Sequence, residues 1–292
     1  MKIAVMGQGA WGKALAYVAQ QSGHEVQVWS RGSTSIETCD VSILAVPAQA
    51  VRDVLFAVKS PIIISAAKGI ERQTGLTMAE VVKAVLPSHA FFALSGPSFA
   101  VDVLAGLPTA VTLAGDDIKL ATEWAAHLSL PTFRIYASDD VTGVEIGGAF
   151  KNVLAIACGV ADGRGLGDSA RASLITRGFA ELSRYAKIRG AKTETLMGLS
   201  GLGDLLLTAT SKKSRNYSFG LALGKGQTSG EALAHSAGVV EGAFTAQIAA
   251  KLALQHGADM PIVNAVNAII DGTSNPDEEI AKLLARPVGT EF

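Results

Sequence analysis

The sequence predicts an α/β domain with a mostly parallel sheet, followed by an all-helical domain. Three observations carry that prediction. The first half alternates short apolar runs with helical patterns, as βαβ units do. From about Asp139 the β-branched runs give way to long Ala/Leu/Gly stretches with helical spacing. At 292 residues the chain is also longer than one core comfortably fills.

Candidate strands are residues 2–6, 25–30, 41–46, 61–66, 91–95, 109–113 and 132–136. Their near-continuous hydrophobicity fits strands buried on both faces. Helical spacing covers 144–161, 169–189, 241–256 and 261–271. The change of character near Ala137 and Ser138 divides the chain into domains 1–137 and 138–292, with no internal repeat or low-complexity linker.

Composition narrows the function. With 49% apolar and 17% charged residues the chain is built to bury a core and is not disordered. A net charge of −1 leaves no basic footprint for nucleic acid. The two cysteines, Cys39 and Cys158, have no metal-site spacing, so neither a disulfide framework nor a metal is expected and a reducing cytoplasm is. The opening apolar run stops at Gly7 and Gly9, too short for an export signal. No uninterrupted apolar stretch reads as long enough for stable membrane insertion.

Gly7, Gly9 and Gly12 form GxGxxG between the first strand and a helix expected over 13–22. In that context Gly7 permits the turn, Gly9 admits a pyrophosphate, and Gly12 lets the helix pack closely. Bare N–H groups at the helix start favour the anion. The stretch also nearly fits a P-loop, but Ala14 stands where a Mg²⁺-binding hydroxyl is needed, so that reading is rejected. A dinucleotide is therefore expected. The second strand ends Val28-Trp29-Ser30-Arg31 without an acid for the ribose hydroxyls; Arg31 suits a 2′-phosphate, which tilts the choice toward NADPH, or is an ordinary solvated arginine.

In open α/β sheets ligands gather beyond the carboxyl ends of the strands. Pro47, Lys68 with Gly69, and Gly96-Pro97-Ser98 all follow strands on that edge. Pro97 suits the first position of a helix, which would aim backbone donors near Ser98 at a ligand.

Between residues 143 and 161 the only charges are Glu145 and Lys151. A lysine within such an apolar helix is either buried and available as an acid–base group or snorkels to the surface; the residues leave both open. A second cation such as Lys68 nearby would lower its proton affinity. Further on, Ser214-Arg215-Asn216 offers a hydroxyl, a guanidinium fork and an amide suited to phosphate, or is a solvated basic face. Asp204 bonds a substrate hydroxyl or caps a helix.

Together, residues 7–16, 45–49, 66–71 (AAKGIE), 94–100 (LSGPSFA), 145–155, 159–178, 198–216 (GLSGLGDLLLTATSKKSRN) and 239–242 (VVEG) resemble the NAD(P)-dependent glycerol-3-phosphate dehydrogenases of bacterial type. The resemblance implies a Rossmann domain, mostly parallel and doubly wound, and an all-α domain of the 6-phosphogluconate dehydrogenase-like type. It implies reduction of dihydroxyacetone phosphate to sn-glycerol 3-phosphate by NADPH or NADH, reversibly, for glycerophospholipid synthesis, by a homodimer without metal. It implies Lys151 as proton donor and acceptor, with Lys68, Gly96, Ser98, Asp204, Ser214, Arg215 and Asn216 around the substrate. Trp11, Arg31, Lys68, Ala100, Arg215, Val239 and Glu241 are the implied cofactor contacts beside the glycine loop.

Departures from the family pattern are informative. Between Arg31 and Cys39 the family carries a much longer segment with a helix and strand, so a sheet short of one strand and a more open adenine pocket are expected. Ala10 and Ser169 replace a usual serine and asparagine. Two other readings compete: a related two-domain dehydrogenase for another hydroxy acid or sugar phosphate, and a catalytically silent NADPH-binding sensor.

Overall fold

The structure is a computed structural model that describes residues 1–30, 37–288 and 290. The chain divides into two compact units, Met1–Ala149 with Ala186–Leu207, and Phe150–Tyr185 with Thr208–Phe292.

The first unit is built on seven strands, β1 (Lys2–Met6), β2 (Glu25–Trp29), β3 (Val41–Leu44), β4 (Ile62–Ser65), β5 (Ala90–Ser95), β6 (Thr109–Gly115) and β7 (Phe133–Ser138). Their spatial order is β2-β1-β3-β4-β5-β6-β7. All neighbours run parallel except β5 and β6. Every expected apolar run is a strand. Successive side chains serve opposite faces, as the pleat requires. Ile3 and Val5 enter one apolar cluster, Ala4 and Met6 the other.

Burial on both faces holds for the central strands but not at the flanks. Val28 is 47% exposed and Tyr136 51%. β2 and β7 end the sheet, and edge strands lack the second neighbour and part of the helical cover. Among the described residues no strand lies beyond β2.

Helices cover both faces. α1 (Ala10–Gln21) begins at Ala10, three residues before the expected start, because Gly9 is its N-cap. α2 (Val51–Val54) and α3 (Met78–Val85) pack on one side through Val51, Val54, Met78, Val81 and Val82. α1, α4 (Ala100–Leu104) and α5 (Ile118–Leu128) take the other through residues such as Leu15, Val103 and Trp124. A capping box between Thr77 and Glu80 starts α3. The helix expected to open at Pro97 opens instead at Ala100, after extended Phe99.

Only helices follow β7 among the described residues: α6 (Val141–Gly163), α7 (Asp168–Ile188), α8 (Thr193–Met197), a π-helical turn over Leu199–Gly203, then α9 (Asp204–Ala209), α10 (Arg215–Gly224), α11 (Ser229–Ala234), α12 (Glu241–Gln255), α13 (Pro261–Asp271) and α14 (Pro276–Leu284). Contrary to expectation, α6 is long and apolar enough to cross a membrane. Its apolar window is 94% buried inside the protein, so its composition is that of a core helix.

In the second unit α6 and α10 approach through glycines on both sides. A Cβ at Gly159 would stand 2.1 Å from the Tyr217 carbonyl oxygen, and one at Gly220 2.1 Å from that of Ile156. Any side chain there would separate the helices, and with them Asn152 from Asn216. Glu181 of α7 is 2% exposed and accepts N–H bonds from Ile262 and Val263 at the start of α13. Burial nonetheless raises its carboxyl to about 7.

Candidate active site

In the first unit the glycine loop stands between β1 and α1. Gly7 has φ 125°, and a Cβ there would lie 2.8 Å from the Ala45 carbonyl oxygen of the neighbouring strand end. A Cβ at Gly12 would lie 1.9 Å from the Gly7 carbonyl oxygen. These two glycines are required by the fold itself. Gly9 is different: a Cβ there meets nothing within 4 Å. It faces open space, and no side chain caps α1 or places an acid in its first turn. The buried indole Nε1 of Trp11 has no hydrogen-bond partner. An uncapped helix start, room above Gly9 and an orphaned donor together fit the pyrophosphate of a dinucleotide.

A second cluster of the first unit gathers four expected residues. Lys68, just past β4, donates from Nζ to the Gly96 carbonyl at 3.0 Å and to Asp204 at 2.8 Å. The Ser98 hydroxyl donates to the same Gly96 carbonyl. Gly96 has φ 152°, and a Cβ would press within 2.7 Å of Val111 Cα, so the close turn needs glycine. Asp204, at the start of α9, is 1% exposed. Beside them, a Cβ at Gly148 of α6 would come within 2.8 Å of Ser95 Oγ and 3.6 Å of Lys68 Cγ. Ser95 and Ser200 bury hydroxyls with no partner. Ala100 is the first residue of α4.

The loop carrying Lys68 is firmly held. Gln49 bonds Ile70 O and Arg72 N. Arg52 grips Glu71 through a two-point fork at 2.7 and 2.8 Å, which keeps the Glu71 carboxyl below its usual range.

In the second unit Lys151 is 7% exposed, which decides between burial and snorkelling in favour of burial. Its Nζ donates to Thr208 Oγ1 at 2.9 Å. On the next position of α6, Asn152 accepts from the Asn216 amide at 2.9 Å, and Asn216 in turn accepts from Gly242 N. Ser214 is the N-cap of α10 and accepts from Tyr217 N. The exposed member of the triplet is Arg215, whose Nη1 lies 2.7 Å from where a Cβ of Gly238 would be. Val239 follows that glycine, and Glu241 opens α12. Arg31 lies outside the described residues, so its expected contact has no structural counterpart here.

The model of the NAD-dependent glycerol-3-phosphate dehydrogenase N-terminus matches residues 2–40 and 32–121, and that of the C-terminus residues 140–281. The chain belongs to the NAD-dependent glycerol-3-phosphate dehydrogenase family. A glycerol-3-phosphate dehydrogenase (NAD(P)+) of Brucella ovis is 46% identical over 328 aligned positions, covering 99% of both chains. One from Methylobacterium radiotolerans is 49% identical over 326, covering 99% of this chain and 98% of the relative. The crystal structure of glycerol-3-phosphate dehydrogenase from Coxiella burnetii superposes with a TM-score of 0.91 at 35% identity, over 98% of this chain and 99% of that one.

A D-mandelate dehydrogenase complexed with NADH shares the fold alone, at 14% identity, a TM-score of 0.64 and cover of 95% and 99%. The 328 positions aligned with the Brucella relative exceed the 292 residues here, so that relative carries segments this chain lacks. The two N-terminal matches overlap at 32–40, which follows β2, the strand at one end of the sheet.

Sequence reasoning missed several members of these clusters. Thr208 was signalled only by being polar in an apolar run, Leu205-Leu206-Leu207-Thr208-Ala209. Ser95 and Ser200 gave no signal. The paired Gly147-Gly148 inside a long helix, where each glycine costs about 1 kcal/mol against alanine, was a legible sign of close approach.

Proposed function

We propose that this chain catalyses reversible reduction of dihydroxyacetone phosphate to sn-glycerol 3-phosphate. Full-length likeness at 46% and 49% identity to relatives named for that reaction carries the reading, and the buried Lys151 supports it. Residues 1–137 supply most of the NADPH or NADH site and 138–292 the proton donor and phosphate ligands for the keto-phosphate, with residues of each also serving the other ligand. When bound, the reduced nicotinamide supplies the hydride.

Lys151 donates a proton to the carbonyl oxygen as it becomes an alcohol, and takes it back in the reverse direction. Thr208 orients that ammonium. Lys68 donates to the substrate, its charge held in place by Asp204 and its direction by Gly96, with Ser98 beside it. Arg215, the exposed guanidinium of the second unit, takes the phosphate, with Ser214 and Asn216 fixing the helix start that presents it. Gly7, Gly9, Trp11, Gly12, Arg31, Ala100, Val239 and Glu241, together with Lys68 and Arg215, contact the cofactor. The absence of an acid at the end of β2 favours NADPH slightly. The enzyme works in the cytoplasm as a homodimer, and its product supplies glycerophospholipid synthesis.

The test is substrate-dependent oxidation of NADPH and NADH by purified protein, followed by absorbance. Turnover with dihydroxyacetone phosphate and none with unphosphorylated dihydroxyacetone is expected. Cofactor binding without keto-phosphate turnover would favour the sensor instead.

A further inference from the structure

Lys68 sits near the start of an irregular stretch between β4 and α3, and the far end of that stretch is tied by a residue with no role so far. Glu145 of α6 accepts the Ala79 N–H at 2.9 Å, inside the first turn of α3. One turn further along α6, Gly148 packs beside the Lys68 stem: a Cβ there would stand 3.6 Å from Lys68 Cγ, in ordinary van der Waals contact. One rigid helix thus meets both ends of the stretch from Lys68 to Ala79, while Gln49 and Arg52 hold its middle.

We propose that Glu145 is the positioning residue for Lys68, fixing the exit of its loop on α6 so that the ammonium meets the substrate where Gly96 and Asp204 direct it. The inference rests on the reading that Lys68 contacts the keto-phosphate.

The choice of a carboxyl is informative. An amide would accept the same N–H bond at a lower desolvation cost. Burial, with the nearby Glu80 adding repulsion, raises the Glu145 carboxyl to about 7, against the pull of the α3 N–H groups and the Thr77 hydroxyl. Glu80, the charged group that acts on Glu145, is itself paired with Arg189 at 2.9 Å. The ionised form binds the helix start more strongly than the protonated form does. The hold on the Lys68 loop therefore tightens as pH rises through about 7.

The experiment compares Glu145→Gln, Glu145→Ala and Lys68→Ala by KM and kcat for dihydroxyacetone phosphate, NADPH affinity by fluorescence, and Tm. Glutamine mimics the protonated carboxyl, so Glu145→Gln matches the wild type near pH 6 and has a KM about five-fold higher at pH 8, with kcat and NADPH affinity within about two-fold. Glu145→Ala raises KM at both pH values, and Lys68→Ala raises it about a hundred-fold. A wild-type to Glu145→Gln KM ratio that stays flat from pH 6 to 8 overturns the positioning role, whatever happens to Tm. If instead Lys68→Ala leaves KM unchanged, the substrate role of Lys68 fails first and the proposal falls with it.

Discussion

Gly9→Ala separates the ligand's demands on the glycine loop from those of the fold. Gly9 has φ −64° and ψ 176°, an extended geometry any residue adopts, and its Cβ would meet nothing within 4 Å. Alanine is a poorer N-cap than glycine by about 0.5–1 kcal/mol. It also stiffens the unfolded chain, which returns about 0.4–1 kcal/mol. The two nearly cancel, so Tm should move by no more than about 2 °C.

The bound cofactor meets a different surface. A methyl above Gly9 displaces the pyrophosphate from the start of α1, and losing one charge-assisted hydrogen bond costs about 1.5–3 kcal/mol. That corresponds to about ten- to a hundred-fold in Kd. Titration with NADPH and NADH, followed by tryptophan fluorescence, reads it directly. Gly12→Ala is the control of opposite sign: its Cβ would collide with the Gly7 carbonyl oxygen at 1.9 Å, so Tm itself falls. Cofactor affinity within two-fold of wild type in a normally stable Gly9→Ala protein would refute the assignment of pyrophosphate to this loop.

Three further outcomes are expected. Lys151→Ala lowers kcat about a hundred- to ten-thousand-fold while NADPH affinity survives, and near-normal turnover would remove the lysine from its role. Asp204→Ala removes the paired carboxylate from a Lys68 side chain that is 16% exposed, so urea unfolding should show a loss of about 2–4 kcal/mol; a loss below about 0.5 kcal/mol would mean the pair is not a structural one. Glu181 has a folded value of about 7 above an ordinary 4.5, so the folded state binds its proton more tightly than the unfolded state. Its contribution is therefore greatest below about pH 4.5 and is lost as pH climbs to about 7, a swing of about 3 kcal/mol. Unfolding midpoints of wild type and Glu181→Gln should diverge between pH 5 and 8 in favour of the variant, whereas parallel curves would contradict the shift.

The sheet was legible in the sequence because its strands are short apolar runs punctuated by turns. β1 coincides with the expected 2–6, and Ile3, Val5, Ala4 and Met6 divide between two clusters as the pleat demands. What was not legible was which strands stand at the edge. Val28 and Tyr136 belong to runs that read like the central ones, and only the neighbour order distinguishes them. Helices such as α2, α4, α8 and α11, of four to six residues, are too short to show a period. Pro97 carried the right chemistry for a helix start, yet the helix opens at Ala100.

The candidate site divides the same way. Lys151, Lys68 and Gly9 stood out by residue type and context. Their partners did not: Thr208 lies 57 residues from Lys151, Asp204 136 from Lys68, and Glu145 66 from Ala79. Nothing local to one segment reveals which distant segment will meet it. Ser214 and Asn216, read as phosphate ligands, also have fold-building work: one caps α10 and the other bridges Asn152 to Gly242.

The most direct test of the central claim is the steady-state rate of NADPH oxidation with dihydroxyacetone phosphate, measured side by side for wild type and Lys151→Ala at matched cofactor occupancy. The account predicts robust keto-phosphate-dependent turnover in the wild type that all but disappears in the variant, with cofactor still bound. Equal rates in the two proteins, or cofactor binding without turnover in the wild type, would contradict it.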